Sequence, residues 1–330
     1  MQTILQTYLA EAKIGRKQSY RNLAVFPLLS GYAAALDYIT LDEALAADLL
    51  EVMEKNESGS VPELKVVNKS PRMVLIVDGE ELVGAKQNRI VNTTMLLRGN
   101  STTVIPVSCV EQGRWEYESR RFSSRQRIMC CNLRAMKAEQ VNASVRASRG
   151  FQTDQGALWH EIANKAARMA AETPTMAMTE IYDKEQSSLS EYLKHFRLVE
   201  LQVGGVFFIN GRVVGLDSFG KSATFAGVFK KLLESYALDA IDWYEEKSFW
   251  KAVRSNAAKF LQAVKTASVE TQGSVALGTD LRLESDKVAG FALVHDDELL
   301  HLSAFAKRNG YHSEQNSSRM QRFSTRRRYR

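Results

Sequence analysis

Cysteine is scarce in this chain: three residues in 330, two of them adjacent at Cys130 and Cys131. A vicinal pair strains the geometry that a structural bridge needs, so no disulfide framework is expected and a reducing cytoplasm suits the chain. Long apolar runs are missing too. The longest, MVLIV and VGGVFFI, cannot span a bilayer, and the opening MQTILQTYLAEAKIGRKQ lacks the sustained apolar stretch of a signal peptide. The chain reads as soluble, with no membrane segment. The five histidines, at 160, 195, 295, 301 and 312, form no HxxxH, and no cysteine stands at a finger-like distance from them, which argues against zinc. His301 alternates with apolar neighbours and reads as a core histidine. No P-loop, GxGxxG or GxSxG occurs, which counts against the common NTPase, dinucleotide and α/β-hydrolase classes.

The folded body also lacks an excess of charge of either sign. The net charge of +6 comes from 44 basic and 38 acidic residues, and the last twelve residues, RMQRFSTRRRYR, hold six arginines and no acid. Removing those six from 44 leaves 38 basic residues against 38 acidic ones in residues 1 to 318. The basic pI therefore describes a tail. Arg319–Arg330 is a candidate for sequence-independent contact with nucleic-acid phosphates, with a solubilising disordered end as the alternative.

What is present is enough apolar residue, 45%, to fill a sizeable core. After an N-terminal extension, residues 1–18, the run SYRNLAVFPLL reads as a strand. Thr40 then opens a short helix, LDEALAADLL, with acids in its first turn. From Glu51 to Trp115 short β-rich runs alternate with turn signals such as SGSVP, KSP, DG and RGNS, the pattern of an antiparallel sandwich or barrel-like body. Residues 124–198 read as helical, beginning with RQRIMCCNLRAMKAEQVNASVRA and continuing with an amphipathic helix through Trp159, Ile162, Ala166 and Met169. Residues 199–305 are mixed. Asn210-Gly211 predicts a type I′ hairpin, Ser222 caps a helix, the segment around KSFWKAVRSNAAKFLQAVKTA is another helix, and a last hairpin turns at Asp296 and Asp297. The fold class is therefore α+β: an antiparallel β-rich N-terminal half, residues 19–123, packed with helices and a second hairpin-containing half. Residues 306–330 form the basic tail.

Two polar clusters interrupt the strands. In GEELVGAKQNR stand Glu80, Glu81, Lys86, Gln87, Asn88 and Arg89; strand alternation puts Lys86 and Asn88 opposite Gln87 and Arg89, so a site using all four needs a bend near Gly84. The plainer reading is a polar hairpin with surface ion pairs. In PVSCVEQGRW stand Cys109, Glu111, Gln112, Arg114 and Trp115, at or just past a strand end, where rigid scaffolds present function. Arginine suits phosphate, amides and acids suit ribose hydroxyls, and tryptophan suits a base; the plainer reading of Trp115 is a core plug. Glu81 with Glu111 is a candidate acid/base pair or divalent-metal set, each carboxylate ionised and hydrogen-bonded, with one of them alternatively holding Arg89 or Arg114. Cys109 is a candidate nucleophile or a small buried residue. Asp154, Gln155 and Trp159 open a helix that is either a further anion site or an ordinary capped terminus.

ESGSVPELKVVNKS, DGEELVGAKQNRIVNTT, STTVIPVSCVEQGRW and VGGVFFINGRVVGLDSF with SYALDA together resemble one family across residues 20 to 305. It is the domain family named for its association with ADP-ribosylglycohydrolases and rhodanese-phosphatases. The resemblance implies a single domain over residues 19–305, a link to ADP-ribose and NAD metabolism, and one site built from both clusters. The function so implied is binding, with hydrolysis or transfer as an added step, of a phosphorylated nucleotide-derived ligand. Arg89, Arg114 and Lys86 would face phosphate, and Asn88 and Gln87 ribose. The alternative is a non-catalytic interaction module whose arginine tail grips nucleic acid.

Overall fold

The run QVGGVFFI forms β13 (Gln202–Ile209), and every residue in it is buried. A strand loses its polar alternation when both faces of its sheet are covered. Its side chains still divide: Val206 and Phe208 belong to one apolar cluster, Phe207 and Ile209 to another. The computed structural model, which describes residues 2–56, 59–172, 174–246 and 249–307, shows why. β13 lies inside an antiparallel nine-stranded sheet ordered β1 (Lys13–Ile14), β3 (Leu23–Leu29), β13, β14 (Arg212–Phe219), β18 (Glu298–Ala306), β17 (Val288–His295), β16 (Thr279–Glu284) and β15 (Ser268–Gly273). A short β2 (Gln18–Tyr20) also pairs with β3. One face carries α3 (Cys131–Arg146) and α7 (Ser222–Asp242); the other carries α1 (Gln2–Glu11) and α8 (Arg254–Thr266).

The N-terminal half adds two smaller sheets. Six antiparallel strands run in the order β12 (Phe122–Ile128), β8 (Glu80–Gly84), β9 (Arg89–Val91), β11 (Ser101–Cys109), β6 (Glu63–Asn68) and β5 (Leu50–Glu54). Three more run β10 (Met95–Leu97), β7 (Met73–Ile76) and β4 (Tyr38–Thr40), with β4 parallel to β7. α2 (Leu41–Ala46) starts at a capping box between Thr40 and Glu43. The remaining helices are α4 (Gln155–Arg168), α5 (Met178–Lys184) and α6 (Gln186–Leu193). The fold is α+β, and Leu75, Val77 and Ile90 of the β-rich half share a core with Phe207, Phe219 and Phe291. No helix among the described residues is long and apolar enough to cross a membrane.

The hairpins expected at Asn210-Gly211 and Asp296-Asp297 are present, with φ of 51° and 72° in the first and 49° and 59° in the second. Several boundaries differ from expectation. Residues 122–128 are a strand, β12, because they complete the sheet edge beside β8; the helix begins only at Cys131. α2 stops at Ala46, and Leu50 joins β5. Lys221, not Ser222, occupies the N-cap of α7, without a side-chain cap. α8 begins at Arg254, later than the apolar periodicity suggests. α1 packs on the sheet through Leu5, Tyr8 and Leu9, and Lys307 pairs with Glu284. Arg319–Arg330 lie outside the described residues.

Between the large sheet and the β-rich half runs a chain of buried charge. Asp217 of β14 accepts from Arg134 of α3 at 2.6 and 3.0 Å and from the Tyr236 hydroxyl at 2.6 Å, with His301 Nε2 at 3.4 Å. Arg134 continues to Asp78 at 3.4 Å, and Asp78 binds Lys137. Arg134, Asp217 and Lys137 have essentially no solvent exposure. Removing one partner from such a pair leaves the other charge buried and alone. Arg134→Ala is therefore expected to cost about 3–5 kcal/mol of unfolding free energy in urea, and Tyr236→Phe about 1.5–3 kcal/mol; losses under 1 kcal/mol for both would show that the network does not hold the halves together.

Candidate functional site

β8 and β9 pair Glu81 with Ile90 and Leu82 with Arg89, so Ala85–Asn88 form the hairpin turn. The chain bends where expected: Gly84 has φ of 120°, a value few side chains accept, and Ala85 has φ of 43°. The turn is polar but not solvated. Gln87 and Asn88 are each 4% exposed and Arg89 is 0% exposed. Buried turn groups require partners. They come from the second cluster, because β11 lies against β9 with Cys109 opposite Arg89.

Arg114 closes one half of this arrangement. Its Nε and Nη2 grip the Glu111 carboxylate at 2.9 and 2.6 Å, Nη2 also reaches Asn88 Oδ1 at 3.2 Å, and Nη1 donates to the carbonyls of Ala85 and Glu116 at 2.7 and 3.1 Å. The Asn88 amide donates to the same Glu111 at 3.0 Å. A guanidinium has five N–H donors, and these contacts use them all. Arg114, Asn88 and Glu111 thus brace the turn, and Arg114 has no N–H left over for phosphate or ribose. Burial would raise the Glu111 pKa, but Arg114 and the Asn88 amide hold it below the ordinary value.

The other half is less fully bonded. Arg89 Nη1 donates to Gln87 Oε1 at 3.0 Å, while among the described residues its Nε and Nη2 make no hydrogen bond. Glu54, at the end of β5, stands 3.8 Å from Arg89 Nη2, and among the described residues neither of its carboxylate oxygens has a hydrogen-bond partner. The Cys109 thiol has two acceptors within reach of its single proton, Gln87 Oε1 at 3.1 Å and the Glu111 carbonyl at 3.2 Å. Burial pushes that thiol up in pKa against the opposing pull of Arg89, so it is a neutral hydrogen-bond donor and a poor nucleophile. Gln155, expected only at a helix start, pins both backbone groups of Cys109 at 2.7 and 2.8 Å, whereas Asp154 simply caps α4. Two aromatic rings stand close to these side chains. Trp115 is 48% exposed, so it is no core plug; Arg89 sits 5.8 Å and Lys86 5.4 Å from its ring centre, and Lys86 is 5.0 Å from that of Tyr117. Gln112 points to solvent.

The two glutamates of β8 face opposite ways. Glu80 binds Lys231 of α7 and the Val77 amide, a framework role. Glu81 is fully buried and among the described residues accepts no hydrogen bond, contrary to the expectation of an ionised, hydrogen-bonded carboxylate. Burial raises its pKa from 4.5 to about 7 despite Arg127 and Arg125, with Asp183 and Glu111 adding to the rise. Glu81 and Glu111 therefore titrate far apart. Among the described residues no group of three or more His, Cys, Asp or Glu side chains is disposed to hold a metal ion. Sequence reading overlooked Glu54, although its signal was there: in LEVME, Leu50 and Val52 mark the buried face, and Glu54 shares their phase.

Glu81 makes stability depend on pH in a definite direction. Its folded pKa exceeds its unfolded one, so between them the folded state binds the extra proton and stability falls as pH rises from 4.5 to about 7. Glu81→Gln removes this slope: relative to wild type, the variant should gain up to about 3 kcal/mol between pH 4.5 and 8, measured by urea denaturation at each pH. A pH-independent difference would show that Glu81 is not perturbed.

The profile of the family described as the ARG and Rhodanese-Phosphatase-superfamily-associated Protein domain matches residues 11–305, and the chain belongs to this family. Comparison with curated proteins and with solved structures gives no match.

Proposed function

For this member of the family, we propose that a recess between Arg89 and Glu54 binds a phosphorylated, nucleotide-derived ligand of the ADP-ribose type. One observation carries the reading: a buried guanidinium and a buried carboxylate face each other with most of their hydrogen-bonding capacity unspent. A buried polar group without a partner costs about 1–3 kcal/mol, more when charged, and such groups call for water or a ligand. Arg89 offers donors to a phosphate or a hydroxyl oxygen, and Glu54 accepts from ribose hydroxyls. The exposed Trp115 ring offers aromatic surface to a base, and Lys86, whose ammonium lies over that ring, offers charge to a phosphate. Gln87 and Cys109 orient Arg89 from below. The family name supports the ligand class, since it links this domain to ADP-ribosylglycohydrolase contexts. Three free, buried cysteines agree with a reducing cytoplasm as its compartment.

The geometry favours binding over turnover at Cys109, whose thiol is neutral and engaged. Titration calorimetry with ADP-ribose tests the proposal. Wild type should release or absorb heat on binding, Arg89→Ala and Glu54→Gln should each weaken binding at least tenfold, and Trp115→Leu, at an exposed position, should do so without unfolding the protein. No heat with wild type, or unchanged affinity in both Arg89→Ala and Trp115→Leu, would overturn it.

A further inference from the structure

A separate cavity of about 550 Å³ lies along α7, and none of the recess residues lines it. Its floor is one helix face: Lys221, Thr224, Gly227, Lys231 and Glu234 recur at steps of three or four. Six cationic side chains line the cavity against four acidic ones. Four of the cations are held by the protein, Arg72 by Asp37, Lys221 by the Leu36 carbonyl, Arg127 by Asp183 and Lys231 by Asp42 and Glu80, and the cations gather at two ends. Arg72 and Lys221 both act on Asp37 at one end, and Lys230 and Arg127 both act on Glu234 at the other. From Lys221 to Lys230 the helix rises ~13 Å. Lys230 makes no ion pair among the described residues, and Arg125 engages one of its nitrogens with Asp183 at 3.2 Å.

Two features hold this cavity open and polar. The register between β12 and β8 slips between Ser124 and Ile128, and Gln126 has φ of 55°. In a regular strand consecutive side chains point to opposite faces; this bulge lets Arg125, Gln126 and Arg127 all reach the cavity wall. Gly227 is the second feature. Glycine is a poor residue for a helix interior, and a Cβ at this position would meet nothing within 4 Å. Packing does not demand glycine there, and its missing side chain leaves the floor unobstructed.

We propose that this cavity is a second binding site, for a small bisphosphorylated polyol whose phosphates meet the two cationic ends while its hydroxyl-bearing middle crosses Gly227. Gln126, Gln186 and Ser190 supply the neutral partners for hydroxyls along the walls. Phosphates separated by a short polyol satisfy both ends at once, which a single phosphate cannot do. The site is independent of the Arg89 recess.

Fructose 1,6-bisphosphate is a suitable probe, titrated calorimetrically into the full chain beside inorganic phosphate. The bisphosphate should bind wild type at least tenfold more tightly than inorganic phosphate, and more weakly as salt is added. Gly227→Leu, which fills the floor while circular dichroism and urea denaturation show it folded, should weaken the bisphosphate at least tenfold. Lys230→Ala, on the surface, should weaken it severalfold. ADP-ribose titrated into Gly227→Leu reads the recess separately and should be unaffected. The proposal is overturned by absence of bisphosphate binding to wild type, by equal affinity for inorganic phosphate, or by unchanged affinity in both Gly227→Leu and Lys230→Ala.

Discussion

Asp217 carries its charge in β14 with no access to water, and it does so because Arg134, Tyr236 and His301 converge on it from α3, α7 and β18. Burial would raise its pKa; Arg134, the strongest of the opposing partners, holds it well below the usual carboxylate range. The same guanidinium reaches Asp78, and Asp78 reaches Lys137, whose pKa burial lowers to about 8. Asp78 and Gly79 lead directly into β8, and Arg134 packs against the backbone of Gly79. The interaction that joins the large sheet to the β-rich half therefore also sets where the β8–β9 hairpin stands. A misplaced Asp217 would disturb the core and the turn together.

Around that hairpin, one electrostatic criterion separates framework from site. Arg114 with Glu111, and Lys231 with Glu80, are pairs whose strong donors and acceptors are spent on the protein. They stabilise a geometry. Arg89 with Glu54 has the same charges but lacks those bonds, and it lies beneath an exposed tryptophan. The distinction is one of satisfaction rather than of residue type, because Arg89 and Arg114 are chemically identical. It also assigns opposite tasks to neighbouring glutamates: Glu80 is held by a lysine, while Glu81, with no hydrogen-bond partner, keeps its proton to near neutrality.

Much of the fold was legible in local pattern. Asn210-Gly211 and Asp296-Asp297 carry their turn geometry in residues that tolerate positive φ, and the phase of Phe225, Val228, Leu232 and Tyr236 on α7 marks its buried side. Where the reading failed, a distant contact outweighed local preference. Residues 122–128, with two arginines, a glutamine and two serines, have no strong strand signal; they are a strand because the edge of β8 offers them a ladder, and the bulge at Gln126 accommodates the mismatch. α2 is cut short at Ala46 because Leu50 is needed in β5 beside β6.

The sequence by itself determined the fold class, the turns, the two polar stretches and the family, because turn chemistry, periodicity and ordered motifs are properties of neighbouring residues. It also held the clue to Glu54 in the phase of β5. Only the tertiary structure decided which polar groups are partners and which are left without one. Gln87 and Arg89 face Cys109 because β9 pairs with β11, and Arg114 is spent because the loop after β11 folds back over the turn. Hydrogen-bond satisfaction and desolvation depend on groups tens of residues away in the chain, so no local pattern can record them.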